Sequence, residues 1–370
     1  MAPLNRLDDW TNDDLLLTQA ARNQLEAQYK GSLLVFDWPD LRNAFLAIDN
    51  RATQSRKRRQ RNGIIAVSIA SLGAATGAWL PLVEVLGFSV ERWWFALAVL
   101  FSLIGFVATL WITLVDRHRS EWLHNRLRTE RFRQLYFQFM AHDPALGALA
   151  LKGDPKALAE WSARRDNAFA LVAPSLLGPV RKSLTALIDD VNHRHVWLYP
   201  PANRVAAAPV RTGEVDEFFE ILHRQRIDVQ NDYIREKLAD GVSSPRTWHT
   251  FVQTTSYVMA LAALGLSLLA SYLLFSSDTF QSVHIRVLTS LIAIVGVVAI
   301  YIKLIGDGLQ VRADMARYLW YRDALTEIER QFADPDPGSR VRVLRDMEHI
   351  SYRELREFLK THYEARFSFG

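Results

Sequence analysis

Four apolar runs constrain this chain more than any other feature. They occupy residues 64–83, 93–115, 251–275 and 287–305, with lengths of 20, 23, 25 and 19 residues. A bilayer core of about 30 Å needs about 20 helical residues at 1.5 Å each. Lys303 is the one formal charge within the runs, and it stands near an end, where a long stem reaches the interface. Core helices of a soluble protein rarely stay uncharged for so long, and here the pattern occurs four times. The expected fold class is therefore an all-α membrane protein with two transmembrane helical hairpins and cytoplasmic helical extensions. A composition of 49% hydrophobic and 23% charged residues hides this, because the apolar residues are concentrated in the runs. The first run is not read as a signal peptide: about sixty residues precede it, and no small-residue cleavage pattern follows its proline.

Orientation follows from where Lys and Arg fall. Arg51, Arg56, Lys57, Arg58, Arg59 and Arg61 precede the first run, and Arg117, Arg119, Arg126, Arg128, Arg131 and Arg133 follow the second. The loop between them, 84–92, has Glu84, Glu91 and a single arginine, Arg92. The second pair repeats the asymmetry more weakly. Both termini and the segment 116–250 are thus expected in the cytoplasm of a bacterial cell, with the chain multi-pass in its inner membrane. The cluster Arg56, Lys57, Arg58, Arg59, Arg61 has the composition of a nucleic-acid patch. Its place beside an apolar run favours a contact with anionic lipid, and direct nucleic-acid binding is disfavoured.

The chain then divides into an N-terminal helical region (1–62), a first hairpin (63–115), and a helical region (116–250) with an insertion near 141–210. A second hairpin (251–305) and C-terminal helices (306–370) follow. Each hairpin runs on into an amphipathic basic stretch, 116–140 and 307–332, which suggests an orientation-preserving duplication and a lever continuous with the membrane helices. The apolar stripe of the first stretch is Leu123, Leu127, Leu135, Tyr136 and Phe139. That of the second is Met315, Leu319, Leu325, Ile328 and Phe332, with Arg322 on the same face. Asp143-Pro144 and Asp154-Pro155 each place a capping side chain before a first-turn proline. Further helices are expected over 174–198, 214–241 and 340–366. An irregular connection is expected near 199–212, and a helix-to-interface junction at Gly306-Asp307-Gly308.

Within the runs, Ala66, Ala70, Ala74 and Ala78 share a face, with Gly73 and Gly77 as a GxxxG pair beside it. Ala263, Ser267 and Ser271 repeat the four-residue spacing. Small residues let helix backbones approach closely in lipid, so these are the expected packing positions, within one chain or between copies. Ser68, Thr76, Ser102 and Thr109 are pore-lining candidates; the alternative is that such hydroxyls bond back to their own helix.

The chemistry-bearing motifs are missing. There is no cysteine, HExxH, P-loop, GxGxxG or GxSxG. His118 with His124, and His193 with His195, lack a third ligand at metal spacing. No catalytic residue, metal or cofactor is expected. Glu121, Glu130, Asp189 and Asp190 are read as partners for the abundant arginines. No Asp, Glu or Arg lies within the runs to mark an ion-coupling site, which weighs against a conventional transporter.

Trp122, Arg126, Glu130, Arg131 and Phe132 follow the first hairpin; Arg226-Ile-Asp-Val-Gln230 and Tyr233 precede the second; Tyr318 and Tyr321 follow it. Glu354, Phe358, His362, Ala365 and Phe367 stand near the C-terminus. In these positions and in its layout the chain resembles the SLATT families, bacterial two-transmembrane hairpin proteins with a cytoplasmic helical extension, here as two tandem copies. The resemblance implies a pore-forming or membrane-disrupting effector in anti-phage defence that self-associates. It implies a trigger by a nucleotide second messenger or a cytoplasmic defence-system protein. The chain departs from the families in carrying two hairpins and no SLOG-type nucleotide-binding domain. Arg126, Arg131, Arg224 and Arg226 are the candidate reception residues. The rival expectations are a non-conducting scaffold that recruits a soluble partner, and an ordinary channel or transporter.

Overall fold

The computed structural model describes residues 13–85, 92–114, 117–178, 181–200, 212–239, 245–276 and 282–365. Among these residues the chain is helical throughout and has no strand. After a 3-10 turn at Asp13–Leu15 come α1 (Gln19–Gln28), α2 (Ser32–Phe36), α3 (Pro39–Val85) and α4 (Arg92–Leu114). Next are α5 (Arg117–Met140), α6 (Pro144–Leu151), α7 (Pro155–Leu177), α8 (Arg181–Ile188) and α9 (Thr212–His223). A π-helical turn, Arg224–Asp228, leads into α10 (Val229–Leu238), followed by α11 (Pro245–Ser276), α12 (Ser282–Leu309), α13 (Val311–Phe332) and α14 (Pro337–Glu364).

Local chemistry accounts for the boundaries. Asp143 caps α6 by accepting from the Leu146 N–H at 3.1 Å, and Asp154 caps α7 through the N–H groups of Lys156 and Ala157. Pro144 and Pro155 fill first-turn positions whose N–H would have no intrahelical partner. Gly153 ends α6 at φ +82°, in the left-handed region that glycine enters without a steric cost.

Three expected boundaries change. The helix foreseen over 174–198 is two pieces: α7 continues past Pro174 to Leu177, and α8 stops at Ile188. It stops because the Asp190 carboxylate captures the N–H groups of Arg194 and His195, both at 2.9 Å, in place of a further helical turn. The helix foreseen over 214–241 contains the π turn. The junction foreseen at Gly306–Gly308 falls instead at Gln310, whose φ is +56°, while the glycines stay helical within α12. The connection at 201–211, Gly241 and Phe367 lie outside the described residues.

The described residues form two compact units. The first joins three stretches distant in sequence: 1–55, 120–244 and 314–363. Its main core packs Phe36, Trp38, Tyr136, Phe139, Trp161 and Phe218, tied by Trp161 Nε1–H to the Val35 carbonyl and Tyr136 O–H to the Phe36 carbonyl. Trp161 and Ala148 belong to α7 and α6, so the expected insertion is built into this core. A second cluster holds Trp122, Leu123, Leu127, Leu184, Leu187, Val196, Tyr352, Leu355 and Leu359. α5 is the central helix: every residue from Arg131 to Met140 is buried, where a one-sided stripe was expected. In α13 the inward face is Arg317, Tyr318, Tyr321, Leu325, Ile328 and Phe332. Leu319 is 37% exposed and Arg322 is exposed too, so the first half of the expected stripe points elsewhere.

The second unit comprises 56–119, 245–313 and 364–370. Helices over 39–83, 246–273 and 284–309 are long and apolar enough to cross a membrane; among described residues α4 contributes the shorter apolar stretch Phe95–Ala108. α11 and α12 pack along each other. Val67, Leu304 and Ile305 form the unit's buried apolar cluster, and Ser68 Oγ meets Tyr301 Oη at 3.2 Å.

Candidate functional site

The first unit contains a buried ionic network that runs through the contacts of α5, the π turn, α13 and α14. It begins at Asp14, which is fully buried and lies 2.8 Å from Arg133 Nε. Gln230 donates to Asp14 at 3.2 Å. Arg133 also pairs with Glu130 at 2.6 Å, and Arg126 meets the same carboxylate at 2.5 Å. From the π turn, Arg226 donates to Glu348 at 2.6 Å and to Ser351 at 2.9 Å, with its guanidinium 4.4 Å from the Phe137 ring centre. Both partners of the Arg226–Glu348 pair are 2% exposed.

A third centre surrounds Arg317, which pairs with Asp314 at 2.6 Å and Glu354 at 2.9 Å. His362 Nε2 lies 3.2 Å from Asp314. The His362 ring packs on Phe358 and Trp122, with centroids 4.4 and 4.9 Å away. Arg126 and Arg317 lie over the Phe358 ring at 5.9 and 4.9 Å.

The charges act on one another as a group. Burial alone would raise the Glu130 carboxyl, but Arg126 and Arg133 hold it down at about 2. For Asp14, Glu348 and Glu354 the balance tips the other way: burial raises all three despite the arginines beside them. A buried ion pair adds little net stability over an apolar pair, but removing one partner leaves an uncompensated charge. Among the described residues no group of three metal-ligating side chains comes together.

The structure separates the four candidate reception arginines. Arg226 and Arg131 are buried, at 2% and 6% exposure. Arg131 donates to Gln134 and to the Val196 carbonyl. Arg126 is partly exposed and paired with Glu130, while Arg224, also half-buried, is a partner of Gln28. Glu130 does serve arginines as foreseen. The Asp190 carboxylate instead takes two backbone N–H groups and the Tyr352 hydroxyl at 2.6 Å. The sequence reading missed Asp14, Asp314 and Glu348. Asp314 alone left a local signal, its i,i+3 spacing to Arg317. The partners of Asp14 and Glu348 are more than a hundred residues away.

In the second unit, Gly73 and Ala70 lie where α3 meets α4. A Cβ added at Gly73 would fall on the Ser102 backbone, and one added at Gly105 on Ala70. Ala66 is buried, Ala74 is exposed, Ala78 is half-buried, and a Cβ added at Gly77 would meet no neighbouring element within 4 Å. Thr76, Ser267 and Ser271 donate to the carbonyls of Leu72, Ala263 and Ser267 on their own helices. Ser68 reaches Tyr301, and the Thr109 side chain lies outside the described residues. In the basic cluster, Arg56, Lys57, Arg58 and Arg61 are exposed. Arg59 is buried and donates to the Ala365 carbonyl at 3.1 Å.

No family model matches this chain, and neither curated proteins nor solved structures give a match.

Proposed function

We propose that this chain is a bacterial inner-membrane effector of the kind the SLATT resemblance implies. Both hairpins cross the bilayer, and the ion-paired helical unit and both termini lie in the cytoplasm. Copies self-associate, and the assembly opens or disrupts the membrane in anti-phage defence when the helical unit is triggered. The observation that carries the reading is α11: none of the residues in its most apolar window is buried, and Leu261, Tyr272 and Leu268 are 68%, 67% and 62% exposed. α11 packs along α12 and leaves the rest of its apolar surface open, and such a surface needs lipid or another chain around it. The basic residues Arg56, Lys57, Arg58 and Arg61, just ahead of the first apolar run, suit anionic headgroups.

Residues named for the resemblance meet in space: Trp122, Phe358 and His362 stack together, and Tyr233 packs on Tyr318. A trigger acts only through different affinities for closed and open states. In this proposal the network at Arg126, Glu130, Arg226 and Arg317 is what such a trigger biases.

One observation favours a scaffold that does not conduct. The hydroxyls of Thr76, Ser267 and Ser271 are turned back onto their own helices, so they offer no polar lining. Expression in bacteria with a membrane-potential dye, under phage infection, separates the two. Depolarisation that precedes lysis is expected of the effector. Protection with a fully polarised membrane overturns it in favour of the scaffold. Mass in detergent tests assembly, and a strict monomer removes the multimeric pore.

A further inference from the structure

A second use of enclosed arginine lies in the second unit, apart from the buried network. α14 ends at Glu364, and the last carbonyls of a helix lack intrahelical donors and carry its partial negative charge. The Ala365 carbonyl, just past that end, receives two guanidinium donors: Arg59 Nη2 at 3.1 Å and Arg119 Nη1 at 3.2 Å. Ala365 is 1% exposed and Arg59 is 5% exposed, whereas Arg56, Lys57, Arg58 and Arg61 around it are exposed.

The two arginines stand at matching places in the chain. Arg59 is on α3 shortly before the first apolar run, and Arg119 is on the first turn of α5 shortly after the second. Within the runs α3 and α4 approach closely at Gly73 and Gly105. At the open ends of that pair, two like charges come to one oxygen instead. Guanidinium groups that share an oxygen are close enough to repel, and an enclosed charge is screened little by salt. Taking the oxygen away removes an acceptor from both and leaves Arg59 enclosed with less to offset its charge.

We propose that the end of α14 is a latch on the paired helices α3 and α4. While the Ala365 carbonyl lies between Arg59 and Arg119, the open ends of the pair stay together; when it withdraws, the two charges drive them apart. The residues of α14 up to Tyr363 belong to the first unit, so a shift of that helix is the movement that carries the acceptor away. The latch depends on this contact and not on a bilayer: open ends that part in a protein that never depolarises cells would overturn the effector reading alone.

The chain has no cysteine, so spin labels at Asn62→Cys and Ser120→Cys, both exposed positions, report the separation of the open ends in the full chain in detergent. Replacing residues 364–370 with a Gly-Ser tail of equal length should lengthen that distance by about 5 Å, the size of a discrete helix shift. Ala365→Trp, too bulky for its enclosed place, should lengthen it equally by another route, and it decides alone if the tail replacement loses helix by circular dichroism. Arg59→Glu added to either released chain should restore the parent distance, because a carboxylate then faces Arg119. An unchanged distance on release would overturn the latch, and so would a lengthened distance that Arg59→Glu leaves in place.

Discussion

The two units are built from the same element and hold it together by opposite means. In the first unit, aromatic rings and ion pairs share one interior: Arg226 ranks with Trp38, Trp161 and Phe218 among the largest fully buried side chains. In the second, α11 buries nothing in its most apolar window, and α3 meets α4 where glycine removes the side chain. Burial of apolar surface drives association in water. Between helices surrounded by lipid, as proposed for the second unit, that force is missing, and close van der Waals packing takes its place. The contrast explains how one chain can place arginines inside and leucines outside.

The largest expected effect breaks the first half of this contrast. Arg226→Ala leaves Glu348 buried without its partner and should destabilise the first unit by about 3–5 kcal/mol, read as a lowered melting temperature in detergent. The double variant Arg226→Met, Glu348→Leu should recover most of that loss; failure to recover would show that the pair does more than neutralise itself. The second half is tested by Gly73→Leu, which drives a side chain into the Ser102 backbone and should cost about 1–3 kcal/mol as overpacking. Gly77→Leu, with open space around it, should leave monomer stability unchanged. Equal effects from the two would mean that the α3–α4 contact is not where close packing matters.

Acid titration sharpens the comparison, because no carboxylate lies within the apolar runs. Glu130 is depressed to about 2, so the stability it contributes is complete above the ordinary glutamate range and is lost as pH falls towards 2. Asp14, Glu348 and Glu354 are raised, and each loses stability as pH rises through its raised value. Unfolding followed against pH should therefore show a steep acid limb that Glu130→Gln flattens. The smallest effect is local: Asp154→Ala removes the α7 cap and should cost about 1 kcal/mol, with no change in the second unit.

Parts of this were legible in the chain because their causes are local. Asp143 and Asp154 announce their helices through the proline beside each, and Leu123, Leu127 and Tyr136 are inward as their spacing requires. Stripe reading failed in α13, where Leu319 is exposed and Tyr318 points inward, because periodicity cannot say which flank of a helix has a neighbour. It failed at the π turn too, since one extra residue per turn leaves no mark in composition. The sequence offered Arg126, Arg131, Arg224 and Arg226 as candidates together, and it carried no mark that Arg131 and Arg226 would be enclosed.

The sequence by itself determined the helical class, the apolar runs 64–83, 93–115, 251–275 and 287–305, and the caps. Each depends on residues within a few positions of one another. Only the tertiary structure decided that 1–55, 120–244 and 314–363 form one unit, and that Asp14 meets Arg133 and Arg226 meets Glu348 within it. It also decided that the turn after α8 sets His193 and Trp197 against His349 of α14. The physical reason is that a charge is buried or exposed according to what distant segments bring to it, and a buried charge persists only where a partner arrives.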